Sequence, residues 1–254
     1  MTGLLTIVGL GPGDPRYLTP AASEALASAT DIVGYGPYVD RVQDRPGLRR
    51  HASDNRVELD RARFALDLAA NGARVAVVSG GDPGVFAMAA AVFEAVENGD
   101  PAWRGLDICV EPGITAMLAA AARVGAPIGG DFCAMSLSDN LKPWEVVEAR
   151  LRAALAADFV VALYNPISSA RPWQLGAAFT IASEIRSPGT PIILARAVGR
   201  RDERVRILPL AEAEASMADM STMIIIGAST TRLIERIANQ EPWVYTPRFY
   251  GIRP

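Results

Sequence analysis

The chain has 254 residues, half of them hydrophobic, and a formal net charge of −3, enough to bury a core in one large domain or two modest ones and without the basic excess of a nucleic-acid binder. No run reaches the roughly 18 apolar residues of a membrane span, and Met1-Thr2-Gly3-Leu4 lacks the basic head and apolar core of a signal peptide. Cys109 and Cys133 have neither CxxC spacing nor a nearby histidine, so they read as thiols of a reducing cytoplasm and not as metal ligands or a disulfide.

Short β-branched runs alternate with longer alanine-rich stretches. Residues 4–9 predict a strand ending in a glycine-rich turn, and Thr19-Pro20 sets an N-cap before a proline that opens a helix to about residue 28. A strand at 31–34, a helix over 57–70 stopped by Asn71-Gly72, and a buried strand at 74–79 follow. A helix over 85–97, a strand at 107–111 and a helix over 114–123 complete the first half. The breakers of 125–130 divide the chain into domains at 1–124 and 125–254. Beyond them the pattern predicts strands at 133–136, 159–164, 191–195, 205–208 and 223–227, with helices over 143–157 and 172–185. Such alternation is the pattern of an α/β protein with mainly parallel sheets under helices, whose ligands sit at the carboxyl ends of strands.

Four distinctive segments lie at such ends. Gly9-Leu10-Gly11-Pro12-Gly13-Asp14-Pro15 fails as a dinucleotide loop, because Asp14 stands where the third glycine belongs and Pro12 removes a backbone donor. Gly80-Gly81-Asp82-Pro83-Gly84-Val85-Phe86 lets a ligand approach the backbone closely. Asp82 either accepts from the hydroxyls or ammonium of a nucleoside–amino-acid cofactor or caps the next helix. Glu111-Pro112-Gly113-Ile114-Thr115-Ala116 has similar punctuation, and Tyr164-Asn165-Pro166 with Arg171 offers a rim for stacking and hydrogen bonds.

Together these turns and the strand Thr222 to Gly227 resemble the cobalamin-pathway family of tetrapyrrole methyltransferases, over nearly the whole chain. The likeness sharpens toward its precorrin-3B C17-methylating subgroup in Gly125-Ala126-Pro127, Asp131-Phe132-Cys133, Asp158-Phe159-Val160-Val161 and Thr246-Pro247-Arg248. Its most specific mark is Ser136-Leu137-Ser138-Asp139-Asn140-Leu141-Lys142-Pro143-Trp144-Glu145. The resemblance implies two α/β domains with S-adenosylmethionine in the cleft between them, S-adenosylhomocysteine as product, and a homodimer. It implies that Pro12, Gly80, Gly81, Asp82, Val85, Thr115, Ala116 and Asn165 contact the cofactor, with Val198 near a further contact. It further implies methylation at C17 of precorrin-3B with ring contraction to precorrin-4.

Contraction requires proton removal from a hydroxyl, and Asp139 and Asp131 are the carboxylates to examine, each also readable as a cap or turn residue. Tyr164, Arg171 and Arg248 are the substrate-binding candidates. Arg171, Arg248 and the Arg200-Arg201 pair suit the substrate's carboxylates, although the pair also reads as a solvated turn. One departure stands out: the subgroup is expected to have histidine before Asp-Phe, where this chain has Gly130. The sole histidine, His51, lies beside two arginines and reads as a surface residue. The alternatives are another precorrin methyltransferase, a corrinoid carrier that has lost turnover, and a Rossmann oxidoreductase, disfavoured by the failed loop.

Overall fold

In the computed structural model, which describes residues 3–54, 57–237 and 240–249, the buried runs become two five-stranded sheets, one in each of two units, Met1–Thr115 and Ala116–Pro254. In the first unit, strands β1 (Leu4–Gly9), β2 (Asp31–Tyr35), β3 (Arg49–Ser53), β4 (Arg74–Ser79) and β5 (Asp107–Glu111) lie in the order β3-β2-β4-β1-β5. Every pair is parallel, as the alternation predicts.

Helices α1 (Pro20–Ser28) and α2 (Gly36–Val39) cover one face, where Val8, Ile32, Ala76 and Val78 meet Ala22, Leu26 and Val39. Helices α3 (Glu58–Ala70) and α4 (Met88–Asn98) cover the other, over Leu5, Ile7, Val33, Val75 and Val77. The Thr19 side chain caps α1 by accepting from the Ala22 N–H at 3.1 Å, as expected of Thr-Pro. The connection from β1 runs toward β2 and that from β4 toward β5, so adjacent strands send their chains to opposite faces. A crevice therefore opens outside the carboxyl ends of β1 and β4.

Helix α4 begins at Met88, three residues later than predicted, because Pro83 to Ala87 are spent on a turn. There Asp82 Oδ1 accepts from the Gly84 N–H at 2.8 Å, and Phe86 takes φ +52°. Strand β3 was not predicted from the sequence. It is an edge strand, and Arg-Arg-His-Ala-Ser carries no apolar run to reveal it.

The second unit contains α5 (Ala116–Val124), β6 (Gly125–Ala126), β7 (Phe132–Ser136), α6 (Trp144–Ala156), β8 (Val160–Tyr164), α7 (Gln174–Ile185), β9 (Pro191–Arg196), β10 (Arg204–Pro209), β11 (Thr222–Ile226), β12 (Arg232–Ile234) and β13 (Trp243–Tyr245). Its main sheet runs β10-β9-β11-β8-β7, and here the expectation of parallel pairing needs correcting. Only β7–β8 is parallel, while β8–β11, β11–β9 and β9–β10 are antiparallel. The cause is the connections. A short turn joins β9 to β10, and only two three-residue helical turns lie between β10 and β11, whereas parallel neighbours need a crossover. Strands β7, β8 and β9 still point the same way, so their carboxyl ends share one edge.

The boundary between units falls at Thr115, ahead of α5. Within the 125–130 segment, read from sequence as a linker, Gly125 and Ala126 join a small sheet, β12-β13-β6, where they pair with Val244 and Tyr245. Among the described residues no helix is long and apolar enough to cross a membrane, and no group of three or more His, Cys, Asp or Glu side chains could hold a metal ion.

Candidate cofactor and substrate sites

The crevice of the first sheet is built from backbone. Gly11 and Gly81 exchange both hydrogen bonds, at 3.1 and 2.9 Å, and the Leu10 N–H donates to the Ser79 carbonyl at 2.9 Å. Arg41 Nη2 secures the loop by donating to the carbonyls of Leu10 at 2.6 Å and Gly11 at 3.1 Å. Asp82 joins the next turn: its Oδ2 accepts from the Gly113 N–H at 3.0 Å while Oδ1 holds Gly84. Both of its oxygens thus clasp the chain, each keeping a lone pair for a ligand.

The glycines here supply space. A Cβ on Gly113 would lie 2.2 Å from the Gly81 carbonyl oxygen, one on Gly9 2.6 Å from the Gly113 nitrogen, and one on Gly80 2.7 Å from the Tyr38 ring. Gly81 spends its own N–H on Gly11, so what it offers a ligand is close approach and the second lone pair of its carbonyl. Pro12, Gly80, Gly81, Asp82 and Val85 are all partly exposed on these two turns, and Thr115 is buried at the end of the third. That Asp82 links two of these turns could not be read from the sequence.

In the second unit the ends of β7 and β8 are tied by side chains. Asn165, in the left-handed region at φ +51°, donates from Nδ2 to Ser136 Oγ at 2.9 Å, and Ser136 Oγ also accepts from the Ser138 N–H at 3.2 Å. Tyr164 Oη accepts from the Met117 N–H at 3.2 Å, so the candidate substrate contact also caps the head of α5, where Ala116 sits. Arg171 is 7 % exposed and braces the loop, donating to the Asn165 carbonyl at 2.9 Å and to Met220 Sδ at 3.6 Å. Those bonds commit much of the fork that was expected to take a substrate carboxylate. Val198 is buried in the turn after β9, while Arg248 is exposed on the terminal segment.

Asp139 is half-buried, and its Oδ2 accepts from Gln174 Nε2 at 2.9 Å. Asp131 is exposed at the opposite, amino end of β7, where its backbone carbonyl accepts from the Val160 N–H at 3.0 Å. The two candidate bases are therefore not brought together, and only Asp139 lies among the turns at the carboxyl ends. Two residues there had been given no role from sequence. Half-buried Lys142 donates from Nζ to the Ser138 carbonyl at 3.1 Å, and burial, with Arg150 nearby, lowers its pKa against the opposing pull of Asp139. Gln174 is the other, and its only sequence signal was a polar residue at a core position of α7.

His51 lies elsewhere. Its Nε2 is 2.8 Å from Oδ1 of Asp31, at the amino ends of the strands, and its ring meets Phe64 edge-on. Gly130 has a local explanation. A Cβ there would come within 2.9 Å of Thr246 Cγ2, and Thr246 is fixed by its Oγ1, which bonds Thr231 Oγ1 at 2.8 Å and the Pro127 carbonyl at 2.5 Å. Gly130→Ala is expected to cost about 1–2 kcal/mol, and adding Thr246→Ser, which deletes that methyl, should recover part of it. Chemical denaturation of the four chains of this cycle checks the coupling, and simple additivity would disprove the contact.

Residues 4–214 match the family Tetrapyrrole (Corrin/Porphyrin) Methylases. The chain belongs to this family. Precorrin-3B C(17)-methyltransferase of Sinorhizobium sp is 58% identical to this methylase over 251 residues, covering 99% of this chain and 98% of that protein. The crystal structure of the methyltransferase CobJ matches with TM-score 0.91 at 53% identity, covering 96% of this chain and 100% of that one. A uroporphyrin-III C-methyl transferase from Thermus thermophilus, solved with S-adenosyl homocysteine, shares the fold at TM-score 0.64 and 22% identity, over 89% of this chain and 97% of that one.

Proposed function

We propose that this methylase transfers a methyl group from S-adenosylmethionine to C17 of precorrin-3B, with contraction of the macrocycle to precorrin-4. The observation that carries the reading is the 58% identity over essentially the full length of a precorrin-3B C(17)-methyltransferase. The chemistry of the turns fits the cofactor. Glycines that leave the backbone bare and a carboxylate with spare lone pairs suit a nucleoside joined to an amino acid. Pro12, Gly80, Gly81, Asp82, Val85, Thr115, Ala116, Asn165 and Val198 are assigned to it. When bound, it supplies an electrophilic sulfonium methyl.

The protein's own work is mostly positioning. Holding the acceptor carbon in line with the methyl group supplies much of the rate, because the alignment entropy is lost on binding and not in the transition state. Asp139 takes the proton of the substrate hydroxyl during contraction. Exposed Arg248 and half-buried Lys142 meet the acetate and propionate carboxylates, while Arg171 and Tyr164 hold the loop and helix that carry Asn165 and Ala116. A homodimer in the cytoplasm belongs to the same reading.

The test is incubation of the protein with precorrin-3B and methyl-labelled cofactor. The expected product carries the label at C17 by NMR, is contracted, and forms with one S-adenosylhomocysteine per turnover. Label on another ring carbon would transfer the chain to a different methylase of the pathway. Binding without any transfer in a single turnover would make it a carrier.

A further inference from the structure

Gln174 is 1 % exposed at the first position of α7, a place where leucine or methionine would fill the core. Its Nε2 donates to Asp139 Oδ2 at 2.9 Å, and its Oε1 has no hydrogen-bond partner among the described residues. A buried acceptor left open is costly in a folded protein, and such groups are few unless something outside the chain completes them. The orientation is fixed by charge, since an amide presents its N–H, and not its carbonyl, to a carboxylate. Trp173, immediately before it, is half-exposed and meets Trp144 edge-on at 4.9 Å, so the head of α7 is held to the loop after β7 by Gln174 and to the start of α6 by Trp173. Lys142 Nζ, bonded to the Ser138 carbonyl, closes a turn within that loop.

We propose that Gln174 is a positioning residue for Asp139. Its N–H fixes one carboxylate oxygen, and the other oxygen of half-buried Asp139 receives a donor group of the bound tetrapyrrole. Because that position is an acceptor, the group it takes is a hydroxyl or a pyrrole N–H and not one of the peripheral carboxylates. In the proton-transfer step the substrate O–H bond breaks, the proton passes to Asp139, and the electron pair stays on the substrate oxygen. The inference rests on the reading of the chain as a precorrin methylase.

The experiment compares the full-length wild type with Gln174→Leu and Gln174→Glu, measuring kcat, KM, S-adenosylhomocysteine affinity, thermal midpoint and the pH profile. Gln174→Leu is expected to lower kcat by about 30-fold, with cofactor affinity unchanged and a midpoint equal to or above wild type, since it removes an open buried carbonyl. Gln174→Glu should regain activity toward acid pH, where a proton shared by the two carboxylates restores the donor that the amide supplied. A purely structural glutamine would give neither the stable, slow leucine variant nor the shifted profile. Activity of Gln174→Leu within about threefold of wild type overturns the inference and leaves the functional reading standing. Failure of the wild type itself to methylate precorrin-3B overturns that reading, and the inference with it.

Discussion

Asp31→Ala is expected to destabilise the protein by about 2–3 kcal/mol at pH 7, because it removes a buried carboxylate whose hydrogen bonds are made in full and strips exposed Arg49 of its partner. Asp31 has no exposed surface and opens β2. Arg49 grips both of its oxygens, from Nε and Nη2, each at 2.7 Å, Thr30 Oγ1 donates at 2.7 Å, and His51 Nε2 stands at 2.8 Å. Burial alone would raise the carboxyl pKa, but the bonds from Arg49, His51 and Thr30 outweigh it and hold the group at about 2.

A carboxyl depressed in the folded state stabilises above its unfolded pKa and loses that contribution as pH falls through the folded value. The wild-type advantage should therefore be complete above about pH 5 and shrink by about 2 kcal/mol as pH falls from there to pH 2. Urea unfolding followed by circular dichroism across that range reads it directly. A difference below about 1 kcal/mol at pH 7, or one that does not shrink in acid, would show that the cluster merely decorates the strand ends.

The same cluster shows what the sequence could and could not reveal. Long-range order at β3 comes from backbone pairing with β2 and from Arg49 and His51 reaching Asp31, and none of this leaves a periodic trace in Arg-Arg-His-Ala-Ser. Strands β1, β4, β8 and β11 were legible because each is a largely apolar run buried on both faces. The direction of β11 was not, since a run such as Thr-Met-Ile-Ile-Ile is equally apolar read either way, and only the connection before it decides. Among site residues, punctuation located the turns, while resemblance supplied their roles. Pairings 31 or 35 residues apart, Asp82 with Gly113 and Asp139 with Gln174, belong to tertiary structure alone.

Gly113→Ala should be among the most damaging single-methyl additions in the first unit, and it separates backbone space from side-chain chemistry. The added carbon would sit 2.2 Å from the Gly81 carbonyl oxygen and 2.9 Å from Gly9 backbone atoms, so no side chain can swing aside to admit it. Relief requires one of three turns to move by about 1 Å, and overpacking of this kind costs about 3 kcal/mol. Movement there also pulls Gly113 N–H away from Asp82 and disturbs the Gly11–Gly81 pairing, which are the contacts that shape the proposed cofactor seat. Affinity for S-adenosylhomocysteine is accordingly expected to fall by about 100-fold in isothermal titration, the equivalent of about 3 kcal/mol. Gly105→Ala, whose new carbon meets nothing within 4 Å, is the matched control and should bind as the wild type does. Equal affinities for the two variants would mean that the crevice between β1 and β4 does not hold the cofactor.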